Sequence, residues 1–242
     1  MKRWLLGVGL LLANLTNAHA DIITQWNFNG QAPDVENSPI PSIGVGVASL
    51  VGGVTAATAF SSGTANGGSS DPVLTTPNNF GWQTTTYAAQ GTENRSRGVQ
   101  FNVSTVGRQD IVVSFDLRHS NTSSRYEQFQ YSLNGINFVD STLFDGNAGD
   151  TWFNNRTVDL SSIAGVNNNA NFSFRVVAAF DTLGAYAPSN NTATYATTGT
   201  WRFDMVTVNG VTAVPEPSSI ALLSIVGIGG FALRRLRKGR AG

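Results

Sequence analysis

Apolar and polar positions alternate with a period of two over much of residues 21–213, as expected for half-buried strands. Ile22, Thr24, Trp26 and Phe28 share one parity, and residues 43–54 form a Gly/Val-rich stretch. Alternation returns at residues 99–103 and again at Ile111, Val113, Phe115 and Leu117, which oppose Val112, Ser114, Asp116 and Arg118. Residues 126–133 lead into Asn134-Gly135 and then Phe138. Asn-Gly favours the positive φ angles of a type I′ turn, so a hairpin is expected there. Val158, Leu160 and Ile163 make a short apolar set. Phe172, Phe174, Val176, Ala178 and Phe180 make a long one. Trp201, Phe203 and Met205 then alternate with Arg202, Asp204, Val206 and Val208. No part of this body sustains a 3.6-residue apolar period. About ten short strands in one chain predict an all-β, two-sheet β-sandwich, most simply a jelly roll.

The ends break the pattern. Met1-Lys2-Arg3, an apolar run over residues 4–12 and Ala18-His19-Ala20 form the three parts of a secretory signal peptide. Residues 1–20 are therefore expected to be a signal helix handled by the translocon and signal peptidase. Ala18 and Ala20 would fit the peptidase pockets, with cleavage after Ala20. At the other end, residues 214–240 hold Val214-Pro215-Glu216-Pro217-Ser218, an uncharged run over 220–233, and a basic tail of Arg234, Arg235, Arg237, Lys238 and Arg240. The prolines enforce an extended stretch. The apolar run predicts a short membrane helix, below the ~17–25 residues of a usual span. Snorkelling arginines can make up the length, and the cationic end is expected to stay cytoplasmic.

Removing the ends exposes a charge asymmetry. Seven of the 15 basic residues lie in them, leaving a body with eight, all Arg, against 14 acids and a formal charge of −6. A Lys-free acidic body argues against nucleic acid as a partner, since phosphate neutralisation needs clustered cations. The absence of cysteine rules out disulfides and thiolate metal sites. The body, residues 21–213, is long enough to bury one sizeable core.

The Val-Pro-Glu-Pro-Ser stretch, the short apolar run and the Arg cluster, in that order, resemble the PEP-CTERM sorting signal. That resemblance implies recognition by an exosortase with processing near the motif. It also implies membrane association through the C-terminal helix before processing, and a cell-surface or extracellular-matrix destination in a diderm bacterium, often one that makes extracellular polysaccharide. The hairpin Tyr131-Ser132-Leu133-Asn134-Gly135-Ile136-Asn137-Phe138 is similar to one common in extracellular sandwich modules. The segment from Trp201 to Val208 resembles the closing strand of galactose-binding-like jelly rolls, where an Asp near the chain end meets the first strand. Trp26-Asn27-Phe28-Asn29-Gly30, residues 108–125 and the closing strand together resemble a body type associated with PEP-CTERM proteins, with no activity attached.

Candidate chemistry is sparse. A Ser/His/Asp triad needs a histidine base; His119 is the one histidine of the body and is expected in a solvated turn. Asp116, Glu127, Asp181 and Asp204 could supply a glycosidase pair, but no spacing singles one out. Calcium suits oxygen-rich loops. Asp145, Asn147 and Asp150 offer alternating donors, and Asp204 could join Asn29 or Asp21 near the first strand. The alternatives are a plain polar turn and an Asp204 paired with Arg175 or Arg202. A sugar-binding face would need exposed aromatics beside amides and charges; Trp82, Tyr87, Tyr126 and Trp152 are the candidates, with core packing as the competing role. The resulting expectation is a non-catalytic, exported surface or matrix protein whose body binds extracellular polysaccharide. A purely structural coat protein and a secreted carbohydrate-active hydrolase are the alternatives.

Overall fold

A computed structural model of the chain describes residues 20–29, 38–75 and 78–213. The expected signal helix, the sorting motif and the C-terminal helix lie outside the described residues. The chain divides into two units, Met1–Thr212 and Ala213–Gly242.

Eleven strands are described: β1 Asp21–Trp26, β2 Val47–Val51, β3 Thr55–Ser62, β4 Phe80–Thr85, β5 Gly98–Asn102, β6 Arg108–His119, β7 Tyr126–Ser132, β8 Val139–Asp145, β9 Thr151–Asp159, β10 Ser173–Ala179 and β11 Trp201–Thr212. They form two antiparallel sheets. One runs β3-β4-β11-β6-β9 with β1 also on β11, and the other runs β2-β5-β10-β7-β8. The molecule is thus an all-β sandwich, as the alternating pattern predicts. Among the described residues the helical segments are short 3-10 turns at Ala65–Gly67 and Ala164–Val166.

The inner faces meet in an aromatic core. Rings step across it from Trp26 to Phe101 at 4.9 Å, Phe101 to Phe174 at 5.0 Å, Phe174 to Phe129 at 5.4 Å and Phe129 to Phe115 at 6.5 Å. Such contacts add roughly 0.5–1.5 kcal/mol each beyond area burial.

Two local readings need correction. The alternation of β11 breaks at Met205, which has φ +46. The register with β6 shifts between Asp204 and Thr207, so Val206 and Val208 turn inward beside Trp201 and Phe203. A bulge of this kind adds a residue on one strand and flips the parity beyond it. Here it also lets β11 pair β4 through Trp201, Arg202 and Phe203, and β1 from Val206 onward. The Asn-Gly hairpin is not a tight type I′ turn. Asn134 Oδ1 accepts the amides of Ile136 and Asn137 at 3.0 and 2.8 Å, and only Gly135 takes a positive φ. A longer side-chain-organised loop over residues 133–138 joins β7 to β8.

The two outer faces differ. The segment around residues 64–71 lies over the six-stranded sheet: Trp152 Nε1 donates to Ala65 O at 2.8 Å, Arg118 Nε to Asn66 Oδ1 at 3.1 Å, and the Ser70 amide to Asp116. This cover buries Asp116, Arg118, Arg202 and Asp204, although they point away from the core. On the outer face of the five-stranded sheet, Ser49, Gln100 and Arg175 are partly exposed and Asp140 is exposed, whereas Gln128, Gln130, Ser132 and Ser173 are buried.

Candidate functional site

The five-stranded sheet places one polar side chain from each strand in register. Ser49 of β2 lies opposite Gln100 of β5, Gln100 opposite Arg175 of β10, Arg175 opposite Gln130 of β7, and Gln130 opposite Asp140 of β8. These residues alternate with the core residues Leu50, Val99, Phe101, Phe174, Val176 and Phe129, so all five share the outer face. At ~4.8 Å between strands, the row spans roughly 19 Å.

Hydrogen bonds order two parts of the row. Arg175 Nε donates to Gln100 Oε1 at 2.7 Å, and Gln100 Nε2 donates to Asn102 Oδ1 at 2.8 Å. Gln130 Nε2 donates to Asp140 Oδ1 at 2.8 Å, while Arg95 pairs with the other oxygen of Asp140. Ser173 Oγ donates to Asn102 Oδ1 at 2.7 Å. Phe138, from the loop after β7, lies against the Arg175 guanidinium with Cζ 3.7 Å from the ring centroid. Asn102 and Ser173 also line an adjoining open groove of about 360 Å³, with Val45, Val47, Asn134 and Asn171.

The expected aromatics do not build this face. Trp82 is fully buried, within 6.0 Å of the Phe28 ring centroid. Tyr87 is buried against Trp201 with its hydroxyl on Thr84 Oγ1 at 2.6 Å, and burial pushes its phenol up. Trp152 is buried beneath Ala65. These three belong to the packing of the domain. Tyr126 alone of the four stays partly exposed, on the outer face at the end of β7 beneath Arg125. Arg175, Gln100 and Gln130 come together only in the fold. A cross-strand row has no signature within any one strand. The usable signal was the polar parity of Gln128, Gln130 and Ser132 interleaved with Phe129 and Tyr131.

The acidic candidates separate into different environments. Asp145 accepts both Nε and NH2 of Arg125 at 2.6 and 2.7 Å. Asp150 is held by Arg118 and by Asn121 Nδ2 at 2.7 Å. Both loop acids thus have cationic or amide partners of their own, and Asn147 lies between them in sequence. Among the described residues no three His, Cys, Asp or Glu side chains could hold a metal ion together. Asp21 pairs with Arg108 at 2.9 Å, and Asn29 donates to Asp71 Oδ2 at 2.6 Å.

Asp204 pairs with neither Arg175 nor Arg202. It is fully buried opposite Asp116 across the β11–β6 ladder. Its oxygens accept the Ser69 hydroxyl at 2.5 Å and the Met205 amide at 2.7 Å. Burial, opposed by these two hydrogen bonds and reinforced by Asp71 and Asp116, pushes its carboxyl up to about 8. Asn79 is equally buried, and its Oδ1 makes no hydrogen bond to the described residues. Both oxygens crowd the same side of Gly63, where a Cβ would lie 1.6 Å from Asn79 Oδ1 and 3.1 Å from Asp204 Oδ2.

The raised Asp204 value fixes a sign. The folded state keeps a proton there up to about pH 8, whereas the unfolded chain releases it near pH ~3.9. The contribution is complete below the unfolded value and is lost as pH rises through the folded one. In chelator, the melting temperature should fall between pH 5 and pH 8, and Asp204→Asn should flatten that slope. An unchanged slope in the variant would remove Asp204 as its source.

His119 is buried at the end of β6, not solvated in a turn. Its Nδ1 meets Ser124 O at 2.9 Å, and its ring packs 5.4 Å from Trp201 and from Phe153. Strand β6 carries the ring inward, where the Ser124 carbonyl meets Nδ1 while Nε2 makes no hydrogen bond to the described residues. Glu127 is buried beside it, 3.4 Å from Nε2 and 3.0 Å from Arg156. Asp116 is occupied by the amides of Ser70 and Asn155. Asp181 accepts the amides of Leu183 and Ala185 within its own turn.

Comparison with known proteins gives similarities of two kinds. Residues 213–238 match the PEP-CTERM protein-sorting motif, so the chain carries that sorting motif. Among solved structures, the chain is similar to the N-terminal CBM22-1-CBM22-2 tandem domain from Paenibacillus barcinonensis Xyn10C, at 11% identity and a TM-score of 0.45, over 78% of this chain. The chain spans 50% of the length of that structure. A search of curated proteins finds no significant match.

Proposed function

We propose that this is an exported protein, sorted by an exosortase to the cell surface or matrix, whose sandwich binds extracellular polysaccharide without cleaving it. The sorting motif at residues 213–238 supports the first part. One observation carries the second: a row of polar side chains in register crosses all five strands on the outer face of a sheet, with Arg175 bonded to Gln100, Gln130 bonded to Asp140, and Ser49, Gln100 and Arg175 part-exposed. Pre-ordered side chains lower the entropic cost of gripping a flexible polymer. Asn102 Nδ2 and Gln130 Oε1 make no hydrogen bond to the described residues and can serve ligand hydroxyls.

Affinity electrophoresis through gels containing polysaccharide from an exopolysaccharide-producing diderm bacterium tests this reading. Retardation of the protein, its reduction in Gln130→Ala and no release of reducing sugar are the expected results. Free migration in every polysaccharide would leave the structural coat reading, and sugar release would favour the hydrolase.

A second reading rests on the orphaned Asn79 Oδ1 beside Asp204. Carboxylate and amide oxygens are the donors calcium takes, and an ion there would keep Asp204 ionised. Calcium should then raise the melting temperature at pH 8 in the wild type but not in Asp204→Asn. No calcium response in the wild type would refute the ion.

A further inference from the structure

Of the eight arginines in the body, six are ion-paired: Arg95, Arg97, Arg108, Arg118, Arg125 and Arg156. The other two have no carboxylate partner among the described residues, and they differ from each other. Arg202 is buried and uses all of its nitrogens within the protein. Its Nε and NH2 donate to Gln83 Oε1 at 3.2 and 2.5 Å, and its NH1 donates to Ser62 O at 2.6 Å. Arg175 is part-exposed and uses one nitrogen. Its Nε donates to Gln100 Oε1, Phe138 covers its face, and its two terminal nitrogens make no hydrogen bond to the described residues.

The Arg175 guanidinium is therefore held at its Nε and across its plane, with the fork between its terminal nitrogens left open. That fork matches a carboxylate in two parallel N–H···O bonds. Partial burial lowers its affinity for its proton, so an arriving anion would offset lost hydration. The nearest acid of the row, Asp140, is already shared by Arg95 and Gln130. The flanking groups are amides and hydroxyls, from Gln100, Asn102, Gln130 and Ser173. A face combining one open cation with hydroxyl-binding groups suits an acidic sugar chain better than an acidic peptide, whose backbone would seek an open strand edge.

We infer that Arg175 is a specificity-determining residue that selects polysaccharides bearing carboxylates, such as uronate polymers, on the outer face of the five-stranded sheet. This rests on the polysaccharide-binding reading above and narrows it to a ligand class.

The test measures retardation of the protein in gels containing polygalacturonate, alginate or hyaluronate, each also in a carboxyl-reduced form, with poly-glutamate as a peptide polyanion. Binding to at least one native uronate polymer is expected, weakened about tenfold or more by carboxyl reduction and by Arg175→Gln. Arg175→Lys should recover only part of it, because a point charge lacks the fork. Increasing salt should weaken it as well. Unchanged melting temperatures in both variants would show that the fold is intact. Equal binding to native and reduced polymers, with no effect of Arg175→Gln, would overturn the carboxylate inference and leave polysaccharide binding standing. Binding to poly-glutamate as tight as to the uronates would overturn the assignment to sugar. No binding to any of these polymers would overturn the inference, and free migration in the neutral forms and the bacterial polysaccharide as well would overturn the broader reading.

Discussion

Replacing Phe174 by alanine is expected to lower the unfolding free energy by about 3–5 kcal/mol. The side chain is fully buried in β10, the central strand of its sheet, with ring centroids at 5.0 Å from Phe101, 5.4 Å from Phe129 and 6.1 Å from Phe172. Deleting it removes the middle of a ring ladder whose members sit on backbones pinned by two sheets, so collapse into the void is limited. Domains of this size hold only about 5–15 kcal/mol in total, and the variant should unfold at a much lower urea concentration. A loss below about 1 kcal/mol would mean that the core can repack around the gap, contrary to close packing.

The second large effect concerns Glu127. Its carboxylate is fully buried between the sheets, 3.0 Å from Arg156 of β9 and 3.4 Å from His119 of β6. Arg156 is itself enclosed by Phe144 and Phe153, with Cζ 4.9 and 4.6 Å from their centroids. Glu127→Leu would leave the guanidinium without its carboxylate, with the Asp145 carbonyl at 2.7 Å as its remaining hydrogen-bond partner, at a cost of about 3–5 kcal/mol. The double variant Glu127→Leu/Arg156→Met removes both charges and should regain most of that loss. Chemical denaturation of the two variants checks the coupling. A Glu127→Leu protein as stable as the wild type would show that the pair holds nothing together. The residue that looked like a glycosidase acid is thus a contact between the sheets.

The sandwich itself was legible because its central strands alternate strongly: Ile111, Val113, Phe115 and Leu117 on β6, and Phe172, Phe174, Val176 and Ala178 along β10 and the residue before it, are all core. Strand β4 was not legible, because Gly81 and the Thr-rich tail of FGWQTT hide an alternation carried by Trp82 and Thr84. Strand β8 lies at an edge and is mostly exposed, so burial imposes little pattern on it. The bulge at Met205 has no sequence mark, since methionine rarely adopts a positive φ. The open cation was equally hidden. Composition shows eight arginines, but only the fold reveals which ones find a carboxylate.

The placement of β11 bears on the order of assembly during secretion. It is the last described strand in sequence, yet it lies inside its sheet and pairs with β1, β4 and β6. Strand β1 has no other ladder partner among the described strands. Chain order puts β1 first, so that strand lacks its ladder partner until almost the whole body is available, and only the bridge of Gln25 to Ile43 can form earlier. Non-local closure of this kind is slow and leaves apolar surface exposed meanwhile. Strand β11 ends at Thr212, and the sorting motif begins at residue 213. The strand that closes the sheet and the sorting motif are therefore neighbouring stretches of polypeptide.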